Sequence, residues 1–216
     1  MYQYILFDLD GTIINSAEGI MNSLRDAFQK FKIPLNTYEE LYPFIGPPIR
    51  ESLKEFAHVE EENLIEVIQH YRNYYIKKGL YECYLYPYII ELLNILKEKG
   101  KKLALATNKP YVYSKKILDN FHITSYFDYI GAPRDDDHLL NKTDIIQRII
   151  QELKIKNLKD VIMIGDRYFD IEGAKNNRID SIGVLYGFGS REELAQHQAT
   201  FIVNEVKDIL KIIEKI

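Results

Sequence analysis

The sequence predicts an α/β protein, a parallel sheet flanked by helices and interrupted after its first strand by an all-helical insertion. Three observations carry this expectation. The apolar run Tyr4 to Leu9 ends at Asp10-Gly11-Thr12, as a buried strand does when it enters a turn. From about residue 16 to residue 79 apolar side chains recur at helical spacing, with no convincing strand among them. After Pro87 short apolar runs alternate with amphipathic stretches, the pattern of βαβ units and hence of a parallel sheet.

Taken in order, the first strand covers 4–9. The helix after it opens near Ser16, a residue type suited to an N-cap, and puts Ile20, Leu24, Ala27 and Phe28 on one face. Further helical segments are expected at 38–42, 49–57 and 61–78. The loop Phe44-Ile45-Gly46-Pro47-Pro48 separates two of them, because paired prolines cannot continue a helix, and Gly79 closes the last. An amphipathic helix over 88–98 stops at Gly100, and 102–107 reads as a buried strand. Then come a helix at 112–121, a strand near 129–130, a helix at 143–153, a strand at 161–164, a helix at 170–177 and a strand at 181–185. Asp135-Asp136-Asp137 reads as a solvated loop. The expected division is 1–14 with 84–216 for the α/β core and 15–83 for the helical insertion.

Composition narrows the function classes. The 216 residues carry 28 Lys+Arg against 32 Asp+Glu, a formal net charge of −4, which lacks the basic footprint of a nucleic-acid or anionic-membrane partner. The single cysteine, Cys83, cannot form an internal disulfide. No apolar run approaches the ~20 residues of a membrane span, and the N-terminus lacks a signal-peptide pattern. The cytoplasm is the expected address, for a monomer or a homodimer.

The strongest local signal is Phe7-Asp8-Leu9-Asp10-Gly11-Thr12. Residues two apart in an extended chain point the same way, so Asp8 and Asp10 share a face. Paired carboxylates repel unless a cation sits between them or one is protonated. Alone, the hexapeptide also fits a polar strand end with a turn-forming Asp-Gly. A second acidic pair raises its meaning. Gly165-Asp166 ends the strand over 161–164, and Asp170 follows four residues later. Asp8, Thr107 and Asp166 each fall at the carboxyl end of an expected strand, where ligand sites form in open parallel sheets. Acids at a helix start are also favoured by the helix dipole, an equal explanation for Asp170 on its own.

These motifs in this order resemble the haloacid dehalogenase-like phosphohydrolases. Asp8-Leu9-Asp10-Gly11-Thr12 matches their first motif and Thr107-Asn108 the second. Lys142 is the best match to the third, although Thr143 follows it where many relatives have Pro, and Lys109 could supply the same charge. Gly165-Asp166-Arg167-Tyr168-Phe169-Asp170 matches the fourth. Ala106-Thr107-Asn108-Lys109-Pro110 and the later Tyr186-Gly187-Phe188-Gly189 are similar to the phosphoglycolate phosphatase-like branch.

The resemblance implies a Rossmann-like core with a helical cap and hydrolysis of a small phosphate ester with Mg²⁺. It makes Asp8 the nucleophile that forms an aspartyl-phosphate and Asp10 the acid and base. The metal would be held by Asp8, the Asp10 backbone carbonyl and Asp166, with Asp170 in support. Thr107 and Asn108 would contact the phosphoryl oxygens, and Lys142 would neutralise charge there. Arg50, following Gly46-Pro47-Pro48, would reach an anionic group of the substrate, and the hinges would lie near Ile14–Ser16 and Glu82–Tyr84. The tract Tyr71-Arg72-Asn73-Tyr74-Tyr75 could line a pocket or pack the cap. Phosphoglycolate is the leading substrate, with a 5′-nucleotide or pyrophosphate as alternatives and a mutase-type transfer behind them. Two readings from other classes are a phospho-acceptor signalling domain and a non-catalytic regulatory relative. The absence of Asp at the end of the third core strand, Tyr129-Ile130-Gly131-Ala132, speaks against the former, and intact motifs against the latter.

Overall fold

The computed structural model describes residues 2–35, 37–47, 49–134 and 141–215. The Asp135-Asp136-Asp137 loop and Pro48 of the Gly-Pro-Pro loop lie outside them. The chain divides into two units, Met1–Ile14 with Leu85–Ile216, and Asn15–Tyr84.

The larger unit is built on six parallel strands: β1 (Tyr4–Phe7), β4 (Lys102–Ala106), β5 (Tyr129–Gly131), β6 (Val161–Gly165), β7 (Asp180–Val184) and β8 (Phe201–Val203), in the order β5-β4-β1-β6-β7-β8. Between β1 and β4 come the short strands β2 (Ile14–Asn15) and β3 (Tyr84–Leu85), which pair where the chain passes between the units. The chain steps outward from β1 to β4 and β5, then crosses back to β6 on the other side of β1. This reversal opens a crevice at the carboxyl ends of β4, β1 and β6. Phe7 lies level with Leu105 and with Ile164, so the residues that follow these three emerge together.

The central strands are apolar on both faces because helices cover both. Helix α4 (Ile89–Glu98) precedes β4, α5 (Tyr111–Asn120) follows it, and α6 (Lys142–Glu152) and α7 (Tyr168–Asn176) flank β6. Ile145, Ile146 and Ile149 of α6 pack with Leu6, Ala104, Ala106 and Met163 of the sheet in one buried cluster. Beyond Leu185, where no element is expected, the chain adds α8 (Arg191–Gln196), β8 and α9 (Val206–Lys215). The spacing of Val206, Ile209 and Ile213, all buried, is the sequence signal for that last helix.

The smaller unit holds α1 (Ala17–Phe31), a 3₁₀ segment at Tyr38–Phe44, α2 (Ile49–Glu55), α3 (Glu61–Tyr74) and a π-turn at Tyr75–Gly79. Phe28 and Phe44, both buried, meet edge to face in its core, and the exposed Phe56 packs edge to face on Phe44. Two expectations need correction here, the cap at Ser16 and the helix expected over 61–78. Ser16 does not cap α1 through its side chain; the Asn15 Oδ1 accepts from the Ala17 N–H at 3.1 Å instead. The helical segment expected at 38–42 forms as a 3₁₀ helix over Tyr38–Phe44, with Pro43 inside it. The helix expected to run to residue 78 widens after Tyr74, with the Leu80 N–H donating to the Tyr75 carbonyl five residues back.

Candidate active site

The three strand ends deliver Asp8, Thr107 and Asp166 to the crevice. Asp8 continues the line of β1, its N–H donating to the Ile164 carbonyl at 2.9 Å, and the Thr107 N–H donates to the Gly131 carbonyl at 3.0 Å. Gly11 follows at φ +81°, a left-handed conformation that favours glycine, and a Cβ there would collide with the Asp166 carboxylate. The Asp-Gly of the first motif therefore turns the chain and makes room for the second acid.

Asp8, Asp166 and Asp170 are buried, and each presents a carboxylate oxygen within 4.8 Å of the others. Lys142, the first residue of α6, inserts its ammonium among them. The Nζ lies 2.8 Å from Asp8 Oδ1, 2.8 Å from Asp170 Oδ1 and 2.7 Å from the Ala106 carbonyl oxygen, with the Phe169 ring beside it. Asp170 also accepts from the Arg167 N–H through Oδ2 at 3.1 Å, so its helix-start role and its place in the cluster coexist. Sequence left Lys109 as a rival for the charge of Lys142, and the geometry separates them. Lys109 Nζ contacts both oxygens of Asp10 at 2.7 Å. The Asp10 carboxylate thus lies outside the triad, leaving its backbone carbonyl as the atom expected to reach a metal.

Burial sets the electrostatics. Desolvation raises the Asp8 carboxyl to about 7 against the pull of Lys142, with Asp170 and Asp10 adding to the rise. Asp166 is pushed well above the usual carboxylate range by burial, then by Asp170 and Asp8. For Lys142 burial favours the neutral amine, but Asp170 and Asp8 outweigh it and raise its pKa. Only with all three carboxylates ionised would the cluster carry two negative charges beyond the Lys142 ammonium, and burial opposes that state unless a cation balances it. Asp166 Oδ1 is buried with no hydrogen-bond partner among the described residues, as are Thr12 Oγ1 and Asn108 Oδ1 in the neighbouring strand-end loops. A hard divalent cation fits this donor set: it takes oxygen ligands, carries the missing charge and accepts an orphaned carboxylate oxygen.

Among the remaining expectations, Thr107 is buried at the end of β4, where its Oγ1 accepts from the Lys109 N–H at 3.2 Å. Arg50 stands in α2 of the smaller unit, where it pairs with Glu61, which Lys54 also contacts. Arg50 lines a cavity of about 440 Å³ within that unit, together with Arg72, Gln69, Asn73 and isoleucines including Ile68 and Ile76. Of the aromatic tract, Tyr71 stacks on Tyr75, which is buried, and the Tyr74 hydroxyl donates to Glu82.

Sequence reasoning misses the contacts made from 186–193. The Phe188 N–H donates to Asp166 Oδ2 at 2.8 Å, the Tyr186 hydroxyl to the Thr12 carbonyl at 3.0 Å, and Glu193 accepts from Arg167 and from the Tyr168 N–H. The Phe188 donor is backbone and leaves no mark on residue type; the family-like run Tyr186-Gly187-Phe188-Gly189 is the signal for the segment, and nothing in it names these partners.

Comparison with known proteins places the whole chain among relatives of one family. The model of the haloacid dehalogenase-like hydrolases matches residues 5–184. A 5′-nucleotidase of Pseudomonas aeruginosa is 34% identical over 99% of this chain and 96% of its own length. The pyrophosphatase PpaX of Listeria welshimeri is 32% identical over 97% and 95%. The crystal structure of a predicted phosphatase from Clostridium acetobutylicum superposes with a TM-score of 0.93 at 44% identity, covering 100% of both chains. Among the described residues no helix is long and apolar enough to cross a membrane. With the motifs in order, the acids gathered at the strand ends and the match spanning most of its length, the chain belongs to the haloacid dehalogenase-like hydrolases.

Proposed function

We propose that this phosphatase is Mg²⁺-dependent and hydrolyses a small phosphate monoester through an aspartyl-phosphate on Asp8. The observation that carries the reading is the buried triad of Asp8, Asp166 and Asp170 with Lys142 among its oxygens. Asp8, Asp166, the Asp10 carbonyl and Asp170 would hold the cation, which supplies charge neutralisation for the carboxylates and the phosphoryl oxygens. The Asp8 carboxylate attacks phosphorus and the ester P–O bond breaks, while Asp10 gives its proton to the departing oxygen. Water then attacks the phosphoryl group, Asp10 takes its proton, and the bond to Asp8 breaks to release phosphate. Lys142 and the Thr107 hydroxyl stabilise the charge on the transferring group, and Asn108 contributes its backbone amide. Lys109 holds the Asp10 carboxylate in one orientation between these two transfers.

The inserted unit is proposed as the cap that selects the leaving group. Its cavity joins two arginines and two amides to isoleucine walls, which suits an anion with an apolar body. A nucleoside 5′-monophosphate has that character, and the likeness to a 5′-nucleotidase supports it. The segments at Ala106–Pro110 and Tyr186–Gly189 favour 2-phosphoglycolate as the second reading. The test is Mg²⁺-dependent phosphate release from nucleoside 5′-monophosphates, 2-phosphoglycolate, pyrophosphate and sugar phosphates. Nucleotides are expected to lead in kcat/KM, and Asp8→Asn to lower turnover by at least about 10³-fold. A wild-type rate in D8N would overturn the mechanism. A hundredfold preference for phosphoglycolate would overturn the nucleotide assignment.

A further inference from the structure

The loop from Asp166 to Asp170 is gripped from outside the four motifs. After β7, the Tyr186 hydroxyl donates to the Thr12 carbonyl at 3.0 Å, and the Phe188 N–H donates to Asp166 Oδ2 at 2.8 Å. Between and beyond them the backbone comes so close that only glycine fits. A Cβ at Gly187 would collide with the Gly11 carbonyl and Asp166 Cβ, and one at Gly189 with the Asp166 carbonyl oxygen. In the first turn of α8, Glu193 Oε1 accepts from the Tyr168 N–H at 2.8 Å and from Arg167 Nε at 2.9 Å. The Tyr168 N–H opens α7, where helix donors have no partner of their own. Glu193 is itself held, its N–H donating to Ser190 Oγ at 3.1 Å.

We infer that Tyr186–Glu193 is a positioning clamp for the acidic triad, with Tyr186 and Glu193 as its positioning residues. The inference rests on the phosphatase reading above, and the segment lies beyond residue 184, where the family match ends. Phe188 occupies Oδ2 of Asp166 and leaves Oδ1, which has no partner among the described residues, as the oxygen presented for ligation. Glu193 fixes the start of α7, two residues before Asp170. Tyr186 ties the turn after Asp10 to the same loop. Carboxylates this close repel, and their separation persists only if each is anchored by something other than its neighbours.

The experiment measures the Mg²⁺ concentration that gives half the metal-induced rise in Tm, beside kcat and KM, for wild type, Tyr186→Phe, Glu193→Ala and Glu193→Gln. Y186F removes one hydroxyl and E193A one acceptor carboxylate. Both are expected to raise the Mg²⁺ midpoint and lower kcat by about 10–100-fold, with substrate KM changed less than threefold. E193Q keeps an acceptor oxygen and is expected to recover part of the loss. A merely structural role would lower the metal-free Tm and leave the midpoint in place. Midpoints within twofold of wild type in both Y186F and E193A would overturn the clamp. If E193A fails to fold, Y186F decides alone. A wild type that hydrolyses no phosphate ester, with variant-dependent Mg²⁺ midpoints intact, would overturn the functional reading and keep the clamp.

Discussion

Asp166 shows what a single buried side chain does to this protein. One oxygen is held by the Phe188 N–H and the other has no partner among the described residues. Its carboxyl is raised well above the ordinary range by burial and by the acids beside it, and Asp8 is lifted to about 7 for the same leading reason. In the unfolded chain both would titrate near 4. Between about 4 and 7 the folded, metal-free protein therefore binds more protons than the unfolded chain, and its stability falls as pH rises through that window. Asp166→Asn removes one charge from the cluster. The metal-free variant is expected to be more stable than wild type at pH 8 by about 1–3 kcal/mol, the scale of one unsatisfied buried polar group. At pH 4 the two should differ little. Saturating Mg²⁺ should raise the Tm of wild type at pH 8 and do little for D166N. Thermal melts at both pH values, with and without Mg²⁺, check the sign. A D166N protein whose advantage over wild type does not grow from pH 4 to pH 8 would contradict the account.

At the scale of elements, the site exists because strand ends and helix starts meet. The acids at the ends of β1 and β6 were legible because a strand that stops at a carboxylate leaves a mark in the sequence. Asp8, Asp166 and Asp170 assemble as that pattern predicts. Lys142 was legible only as a cation near a helix start. The structure gives the reason it stands there: Asn141 caps α6, its Oδ1 accepting from the Asp144 N–H at 3.1 Å while Asp144 accepts from the Asn141 N–H at 3.3 Å. This box sets where α6 begins and hence where the ammonium enters. Asn141→Ala is expected to cost about 1 kcal/mol, or roughly 2–4 °C in Tm. Because the next residue is Lys142, it should also lower kcat, which melts and single-turnover rates together would reveal. Other parts were not legible for physical reasons. The Lys109–Asp10 pair joins residues 99 apart, and the Phe188 contact uses a backbone donor that any residue except proline possesses. The widening of α3 after Tyr74 leaves its apolar spacing unchanged, so periodicity cannot announce it.

Over the whole molecule, the net charge of −4 gave no hint of a phosphate ligand, since the charge that matters is confined to one buried cluster. What the whole chain adds is a division of labour. Every residue of the triad, its lysine and the 186–193 segment belongs to the unit Met1–Ile14 with Leu85–Ile216. The insertion leaves that unit at Ile14 and returns at Leu85, and the crossing points pair as β2 and β3. The Tyr86 N–H donates to the Ile13 carbonyl at 3.1 Å, so the two ends of the insertion site are already adjacent within the larger unit. Replacing residues 16–83 by a short Gly/Ser linker should therefore close a small loop at little entropic cost. The excised protein is expected to fold, to keep a Mg²⁺-dependent rise in Tm, and to turn over simple phosphate esters slowly. If the insertion selects the leaving group, the side chains that discriminate depart with it. Discrimination between nucleotides, phosphoglycolate and sugar phosphates should then shrink to within about tenfold. Calorimetry, Mg²⁺ titration and the same substrate panel test this together. Retention of the full-length preference by the excised core would place specificity in the larger unit and refute the cap assignment.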